Sequence, residues 1–286
     1  MNLTVLSQYV IPKQAITVLA GKLAHLEGGR LTAAVIRWFV QRYQVNMAEA
    51  QQSNIDAYKT FNAFFTRALK PGARPMASAD FISPVDGRIS QLGRIEIDQL
   101  FQAKGHTYST TALLGGNKNL AKKFENGQFA CLYLSPKDYH RIHMPCDGTL
   151  RSMTYVPGAL FSVNPCTAQG VPGLFARNER VVCEFSSAQH GLFIIVLVGA
   201  TVVGSMATVW HTSKNGIVNP PRNRQPRSWF YDNKNIKLQQ GDEMGRFLLG
   251  STVVMLFEKD AVAFNSDWQT ARAINMGEVM GNGKAG

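Results

Sequence analysis

The chain has 286 residues, enough to bury a sizeable core as one large domain or two small ones. With 45% hydrophobic and 17% charged residues, the composition excludes an intrinsically disordered chain. The formal net charge of +11 indicates an anionic partner, either a nucleic acid or an anionic membrane surface. The four cysteines lie far apart with no C-x-x-C pair, so we expect neither a disulfide framework nor a zinc site.

The first 48 residues predict short amphipathic helices. Five of the six Lys, Arg, Asp and Glu residues before Glu49 are basic, and Glu27 is the one acid among them. Helices of this kind suit a membrane interface, although an ordinary helical cap on a core has the same pattern. We predict a membrane-associating helical region at residues 1–48 and a β-rich domain at residues 49–286. Apolar residues recur at helical spacing most regularly at Leu31, Ala34, Val35, Trp38 and Phe39.

The remainder of the chain predicts strands separated by turns. A run of nineteen residues without charge, 192–210, is long enough to span a membrane, but its β-branched residues and glycines favour two buried strands. The predicted fold class is therefore α+β, with N-terminal amphipathic helices followed by a predominantly antiparallel β core. The strands are predicted at residues 87–92, 129–134, 148–156, 181–185, 192–198, 201–210 and 252–257.

The peptide bond between Gly250 and Ser251 is a candidate for self-cleavage. A serine hydroxyl lies close to the preceding carbonyl carbon and, in a distorted turn, can attack it and convert the amide into an ester. Elimination across that ester breaks the chain and leaves the serine as an N-terminal pyruvoyl group, which is a carbonyl electrophile suited to amine chemistry. Gly-Ser is also a common dipeptide, so a small-residue turn leading into the strand at 252–257 explains the same residues.

Two histidines lie together in the segment 135–145 and are candidates for the base that self-cleavage needs. Ser135 predicts a capped helical turn that presents His140 and His143 at the end of the strand at 129–134. The His-x-x-His spacing can also bind a metal, but no third ligand is indicated nearby. A packing role stays open for both residues.

Seven segments in the same order resemble bacterial phosphatidylserine decarboxylases of the membrane-associated type. The segments lie between residues 61 and 252, and the resemblance covers nearly the whole chain, from the N-terminal helices to about residue 276. The segments are FNAFFTR at 61–67, PVDG at 84–87, DYHRIHMP at 138–145, YVPG at 155–158, LFSVN at 160–164, LFARNER at 174–180 and GRFLLGST at 245–252.

The resemblance implies a role for each candidate residue. Asp86, which by itself reads as part of an ordinary Asp-Gly turn, matches the orienting member of the family's self-cleavage triad. His143 matches the base and Ser251 the nucleophile, which becomes the pyruvoyl group after cleavage from Gly250. The products would be a large β chain and a small α chain. His140 matches a histidine near the decarboxylation step.

The resemblance also implies substrate, cofactor and partners. The substrate amine would form a Schiff base with the self-derived pyruvoyl cofactor, and phosphatidylserine would become phosphatidylethanolamine and CO2 without a metal or pyridoxal phosphate. We expect a homodimer that is peripheral on the cytoplasmic face of the cell membrane, bound to its anionic surface, and no nucleic-acid partner. The residues alone leave two other classes open: a soluble pyruvoyl-dependent amino-acid decarboxylase and a basic protein that binds nucleic acid.

Overall fold

The structure has a helical N-terminal region followed by antiparallel sheets, which confirms the predicted α+β class. This computed structural model describes residues 6, 8, 9, 12–201, 206–213, 216–218, 224–248 and 252–283. Within these ranges, no helix is both long enough and apolar enough to cross a membrane.

Two amphipathic helices lead the chain: α1, Lys13–Ala24, and α2, Arg30–Tyr43. Helix α1 begins directly after Pro12, a position that a helix tolerates because the first N–H groups need no partner. Helix α2 ends where Gln44 takes a left-handed conformation and donates its N–H to Val40. The predicted amphipathic helices are confirmed over residues 13–43, and most of residues 1–11 lie outside the described residues.

Helix α2 packs on one face only. Its Ile36 is fully buried and belongs to a small apolar cluster with residues of α3, Phe61–Phe65. The opposite face of α2 stays exposed, and so does most of α1. Leu31 of α2 is the most exposed apolar side chain of the two helices, at 71%. The exposed apolar side chains of the two helices and the segment between them are Ile16, Val18, Leu19, Leu23, Leu26, Leu31, Val35 and Trp38.

The other helices are short. The 3₁₀ helices are Met47–Glu49, Ile55–Ala57 and Ala103–Gly105. The α-helices are α4 (Thr110–Leu113), α5 (Lys118–Lys122), α6 (Pro165–Gly170) and α7 (Leu174–Arg177).

Nine of the described strands form the main sheet. They are β2 (Gly87–Arg94), β5 (Gln128–Tyr133), β7 (Gly148–Val156), β8 (Arg180–Ser187), β9 (Gly191–Val198), β12 (Arg227–Phe230), β13 (Lys237–Leu238), β15 (Thr252–Phe257) and β17 (Ala273–Ile274). The order across the sheet is β12-β7-β8-β9-β15-β5-β2-β17, and β13 also pairs with β7. Strand β15 therefore has hydrogen-bonded neighbours on both sides.

Three smaller sheets complete the described strands. One has the order β11-β10-β14-β6, from β6 (Arg141–His143), β10 (Met206–Thr208), β11 (Ile217–Val218) and β14 (Glu243–Phe247). Another has the order β1-β18-β16, from β1 (Phe81–Ile82), β16 (Ala263–Phe264) and β18 (Val279–Asn282). Strands β3 (Gln99–Phe101) and β4 (Thr107–Ser109) form a hairpin.

Both faces of the central strands β9 and β15 are buried, which explains their long apolar runs. In β15, Val253 and Met255 face one large cluster and Val254 and Leu256 face the other. Strand β9 is buried in the same two-sided way, so the charge-free run 192–210 begins as a core strand as predicted. The second strand predicted there is described only at β10, because residues 202–205 lie outside the described ranges.

Candidate active site

One end of the main sheet gathers the predicted site residues that the structure describes. Asp86 directly precedes β2, and Thr252 begins β15. The pairing register places Thr252 and Arg88 on opposite sides of Tyr133 in β5. The starts of β2 and β15 are thus two strand spacings apart, or about 10 Å. Residues 249–251, with the predicted cleavage bond between Gly250 and Ser251, lie outside the described residues.

Gly87 is required by the close approach of β2 and β5. A Cβ atom at this position would lie 2.4 Å from the carbonyl oxygen of Tyr133, a distance that no side chain tolerates. The Asp-Gly pair therefore has a steric reason in addition to its turn propensity. The missing side chain lets the backbone that carries Asp86 lie directly against the end of β5.

The Asp86 carboxylate is nearly buried and fully engaged by two neighbours. Arg74 donates from Nε to Oδ1 at 2.9 Å and from Nη2 to Oδ2 at 2.6 Å, and the Met276 N–H donates to Oδ1 at 2.8 Å. Arg74 also donates to Glu49 at 2.8 Å, and its hydrogen bond to Asp86 contributes most to the raised pKa of Arg74. Asp86 is therefore held rigidly by a fork-shaped ion pair.

His143 lies in β6, beside Asp86 in the backbone. Its N–H donates to the carbonyl of Pro84 at 2.9 Å. In the ring, Nδ1 lies 2.7 Å from the carbonyl oxygen of Gly241 and Nε2 lies 3.1 Å from the hydroxyl of Tyr139. A carbonyl can only accept, so Nδ1 carries the proton and Nε2 is the basic nitrogen.

Burial lowers the pKa of His143, with the Gly241 carbonyl and the nearby carboxylates of Glu243 and Asp86 acting against that effect. His143 is therefore neutral, as a general base must be. Among the described contacts, the carboxylate of Asp86 bonds to Arg74 and Met276 and not to the His143 ring. The structure brings the two residues together, while the Gly241 carbonyl sets the tautomer.

The helical turn predicted after Ser135 is wrong. Residues 136–138 form a turn, and the chain then enters β6. Oδ2 of Asp138 accepts from both the N–H and the hydroxyl of Ser135 at 2.7 Å each, as in a capped turn, but the chain becomes extended immediately afterwards because it pairs with β14. The Phe247 N–H also donates to the carbonyl of His140 at 3.0 Å, which continues the extended pairing with β14.

His140 consequently faces different neighbours from His143. Its ring is fully buried, with its centroid 4.1 Å from that of Phe65, and Nδ1 lies 2.8 Å from the Asp138 carbonyl oxygen. Nδ1 is therefore the protonated nitrogen, and Nε2 is buried without a hydrogen-bond partner among the described residues. Burial lowers the pKa of His140 to about 3.

We predict that His140 makes the fold sensitive to acid. Its pKa is about 3 in the folded state, against an ordinary value of 6.5. Between these values the unfolded chain binds a proton that the folded chain excludes, so the free energy of unfolding falls as pH falls, by up to about 1.4 kcal/mol per pH unit. Urea unfolding at pH 7 and pH 5 should show this loss, and His140→Phe should reduce it.

The measurement is cleanest in a Ser251→Ala background, where every variant is expected to unfold as one chain. His25→Gln, which changes an exposed histidine, is the control and should keep the pH dependence of the parent. An unchanged pH dependence in His140→Phe would contradict the assignment.

A cavity of about 380 Å³ opens beside these residues. Asp86 and Tyr139 line it, and Tyr139 connects it to Nε2 of His143. Arg67 and Arg74 also line it, and sequence reasoning missed both as site residues, although Arg67 closes the segment FNAFFTR. Within the described ranges, no three His, Cys, Asp or Glu side chains lie close enough together to hold a metal ion.

Comparison with known proteins identifies the family of the chain. The family model described as phosphatidylserine decarboxylase matches residues 61–282, and a model described as PSD matches residues 3–44. A protein of Dechloromonas aromatica (strain RCB), named phosphatidylserine decarboxylase proenzyme, is 68% identical over 281 residues, which cover 98% of each chain. Proteins with the same name from Polaromonas sp. (strain JS666 / ATCC BAA-500) and Albidiferax ferrireducens (strain ATCC BAA-621 / DSM 15236 / T118) are each 64% identical, with 98% of this chain covered and 98% and 96% of theirs. The resemblance found in the sequence is confirmed: the chain belongs to the phosphatidylserine decarboxylase family, a family of carboxy-lyases.

Proposed function

We propose that this protein converts phosphatidylserine to phosphatidylethanolamine and CO2 with a pyruvoyl group, which it makes by cleaving itself between Gly250 and Ser251. The reaction would serve phospholipid biosynthesis. Family membership supports the substrate class, and the similar proteins that are named proenzymes support the processing. The observation that carries the proposal is a neutral His143, with Nε2 as its basic nitrogen, at the sheet end where β15 begins.

In the cleavage step, the Ser251 hydroxyl gives its proton to a base and its oxygen attacks the Gly250 carbonyl, which moves the acyl group from nitrogen to oxygen. Elimination then takes a proton from the Ser251 Cα and releases the Gly250 carboxylate. Hydrolysis of the resulting dehydroalanine releases ammonia and leaves the pyruvoyl group. Each proton transfer suits a neutral imidazole such as that of His143.

Tyr139 controls access to that imidazole. Burial raises the pKa of Tyr139 to about 12, so its hydroxyl keeps its proton and donates to Nε2 of His143. Proton transfer from Ser251 therefore requires the serine either to replace Tyr139 at Nε2 or to pass its proton through the Tyr139 hydroxyl. Asp86, although paired with Arg74, is one of the carboxylates that oppose the lowering of the His143 pKa by burial, after the Gly241 carbonyl and Glu243.

A pyruvoyl carbonyl at residue 251 would accept hydrogen bonds, and of two buried polar groups that lack partners among the described residues, the first can donate one. They are the hydroxyl oxygen of Thr252, the next residue in the chain, and Nε2 of His140. When present, the pyruvoyl carbonyl supplies an electron sink for the pair left behind by CO2. His140 is neutral and offers Nε2 as an acceptor for a substrate N–H group.

We further propose that the protein is peripheral on the cytoplasmic face of the cell membrane. The exposed apolar side chains of α1 and α2, with Lys13 and Lys22 on the first helix, support this placement. Apolar residues enter the interface, and basic residues near an anionic surface contribute about 1 kcal/mol each. The homodimer implied by the resemblance stays a prediction, for which light scattering of the processed protein is the measurement.

The double change Leu19→Glu and Leu23→Glu should weaken binding to liposomes that contain phosphatidylserine by at least about tenfold. Each leucine loses about 1.5–3 kcal/mol of apolar transfer, and each new carboxylate is repelled by the anionic surface. Flotation through a density gradient measures the bound fraction. Ile97→Glu, which changes a still more exposed apolar residue far along the chain in the β region, is the control and should bind normally.

The proposed function is tested by combining intact mass with product analysis. The purified protein should contain two chains, the smaller one beginning with a pyruvoyl group, and should release labelled CO2 from phosphatidylserine labelled in its carboxyl group. CO2 release from free serine at the same rate would favour a soluble amino-acid decarboxylase. A single chain that releases no CO2 would remove the proposal and reopen the nucleic-acid-binding alternative.

A further inference from the structure

Arg67 is a buried cation whose hydrogen-bonding capacity is largely unused. Only 4% of the residue is exposed. Its Nη2 donates to the carbonyl of Lys137 at 3.1 Å, whereas Nε and Nη1 are buried without partners among the described residues. Burial lowers the pKa of Arg67, although a guanidinium remains charged at any physiological pH. A buried charge with unpaired donors is unfavourable and calls for an acceptor.

The nearby carboxylates hold other partners. Asp86 and Glu49 both pair with Arg74, and Asp138 accepts its hydrogen bonds from Ser135. Within the part of the chain that the structure describes, Arg67 makes no ion pair. This distinguishes it from Arg74, which lines the same cavity but is neutralised on both sides.

The cavity beside Arg67 has the character of an anion site. Arg67 lies in its buried wall, and the exposed side chains of Lys137 and Arg88 add two more positive charges. The three carboxylates named above also line the cavity, but each already accepts hydrogen bonds from its own partner. Tyr139, another lining residue, contacts the basic nitrogen of His143, so a molecule bound here lies next to the candidate active site. A guanidinium fork is best satisfied by two oxygens of one anion.

We propose that Arg67 binds the phosphodiester of the lipid headgroup and so selects a phospholipid over a free amino acid. The proposal rests on the function proposed above and names its specificity-determining residue. The serine headgroup carries two anions, a phosphodiester and a carboxylate. Their fates in decarboxylation decide which of them suits an arginine.

The carboxylate loses its charge as CO2 departs, so a guanidinium paired with it would stabilise the ground state more than the transition state and slow the reaction. The phosphodiester keeps its charge throughout. An arginine bound to it holds substrate and transition state equally, which lowers KM without a penalty on kcat. Arg67 therefore suits the phosphodiester and not the carboxylate, which has to depart as CO2.

The first test uses calorimetry to measure how the whole processed protein binds dihexanoyl phosphatidylglycerol below its micelle concentration. This probe has the phosphodiester but neither the amine nor the carboxylate of the substrate. Arg67→Gln should weaken its binding by about 10- to 100-fold, the range for losing hydrogen bonds to a charged group. Arg67→Lys should keep part of the affinity. Arg94→Gln, an exposed arginine outside the cavity, is the charge-matched control and should bind like the parent.

The second test is the kinetics of dihexanoyl phosphatidylserine, with rates normalised to pyruvoyl content. Arg67→Gln should raise KM by the same factor while kcat stays within about threefold. Phosphatidylglycerol should inhibit the parent competitively and Arg67→Gln much less. If instead kcat falls at constant KM, or phosphatidylglycerol inhibits both proteins equally, the proposal is overturned.

Two further arms separate the other outcomes. Free serine and inorganic phosphate are titrated in parallel: tighter binding of serine through Arg67 would assign a carboxylate site, and tighter binding of phosphate a free-phosphate site, and either result overturns the proposal. Should Arg67→Gln fail to fold, Arg67→Lys carries the same comparison. If the protein releases no CO2, the proposed function fails, yet the calorimetric dependence on Arg67 still decides the phosphodiester site.

Discussion

Replacing Ser251 with alanine should leave the protein as one uncleaved chain of 31.5 kDa. The change removes the nucleophile, and alanine can neither form the ester nor become a pyruvoyl group. His143→Ala should also remain uncleaved, because it removes the nitrogen that Gly241 and Tyr139 hold ready as a base. Intact mass spectrometry resolves one chain from two, and Edman degradation of the parent's small chain should be blocked.

The control for this pair is His106→Ala, a histidine in the loop that connects β3 and β4 and outside the cavity. It should process like the parent. Full cleavage of a folded His143→Ala protein would remove His143 from the mechanism. A small chain that begins with an ordinary serine would mean proteolysis by another enzyme and would end the self-cleavage hypothesis.

Asp86→Ala should give slow or absent cleavage. The structure adds a cost that the sequence does not suggest, since the change leaves Arg74 with Glu49 alone and deprives the Met276 N–H of its acceptor. Breaking a buried ion pair by removing one partner costs about 3–5 kcal/mol. Processing must therefore be compared with Asp86→Asn, which preserves the acceptor for Met276, and folding of both variants is checked by circular dichroism. Processing of folded Asp86→Ala at the parent rate would contradict the role.

His140→Ala should still process at least in part, yet decarboxylate phosphatidylserine about 10²–10⁴-fold more slowly per pyruvoyl group. The buried Nε2 without a partner is the reason to expect a chemical role, since a purely structural histidine normally satisfies both nitrogens. The alternative is packing, because the ring lies directly against Phe65. CO2 release normalised to pyruvoyl content is the measurement.

His140→Phe separates these two explanations. Phenylalanine fills the space beside Phe65 but has no nitrogen, so a chemical role predicts that processing recovers while turnover stays low. Recovery of turnover in His140→Phe would assign the residue to packing. Near-parental turnover in fully processed His140→Ala would refute any role in decarboxylation.

The core could be predicted from the sequence because its cause is local. Strand β15 matches its predicted bounds of 252–257, since an apolar run of that length with β-branched residues suits a strand buried on both faces. The failure of the helical turn after Ser135 could not be predicted, because the residues there suit a capped turn and only the pairing of β6 with β14 makes the chain extended. Local propensity gives way to tertiary pairing there.

The candidate site divides in the same way. The segments around Asp86 and His143 carry recognisable residues, and the structure brings both to one end of the sheet. The partners of these residues have no such signal. The Gly241 carbonyl that fixes the His143 tautomer is a backbone group. Every residue has such a group, so no sequence pattern marks this one. Arg67 and Arg74 look alike in sequence, and only their neighbours reveal that one is neutralised and the other is not.

The position of β15 inside the main sheet determines what self-cleavage does to the molecule as a whole. Everything from residue 251 onward would become a separate polypeptide, yet β15 remains clamped between β5 and β9. Further along the chain, β17 pairs with β2 and β18 pairs with β1. The fragment therefore cannot dissociate without unfolding the core. We therefore expect the processed protein to withstand dilution and chromatography as a single particle, with its two pieces separating only in denaturant.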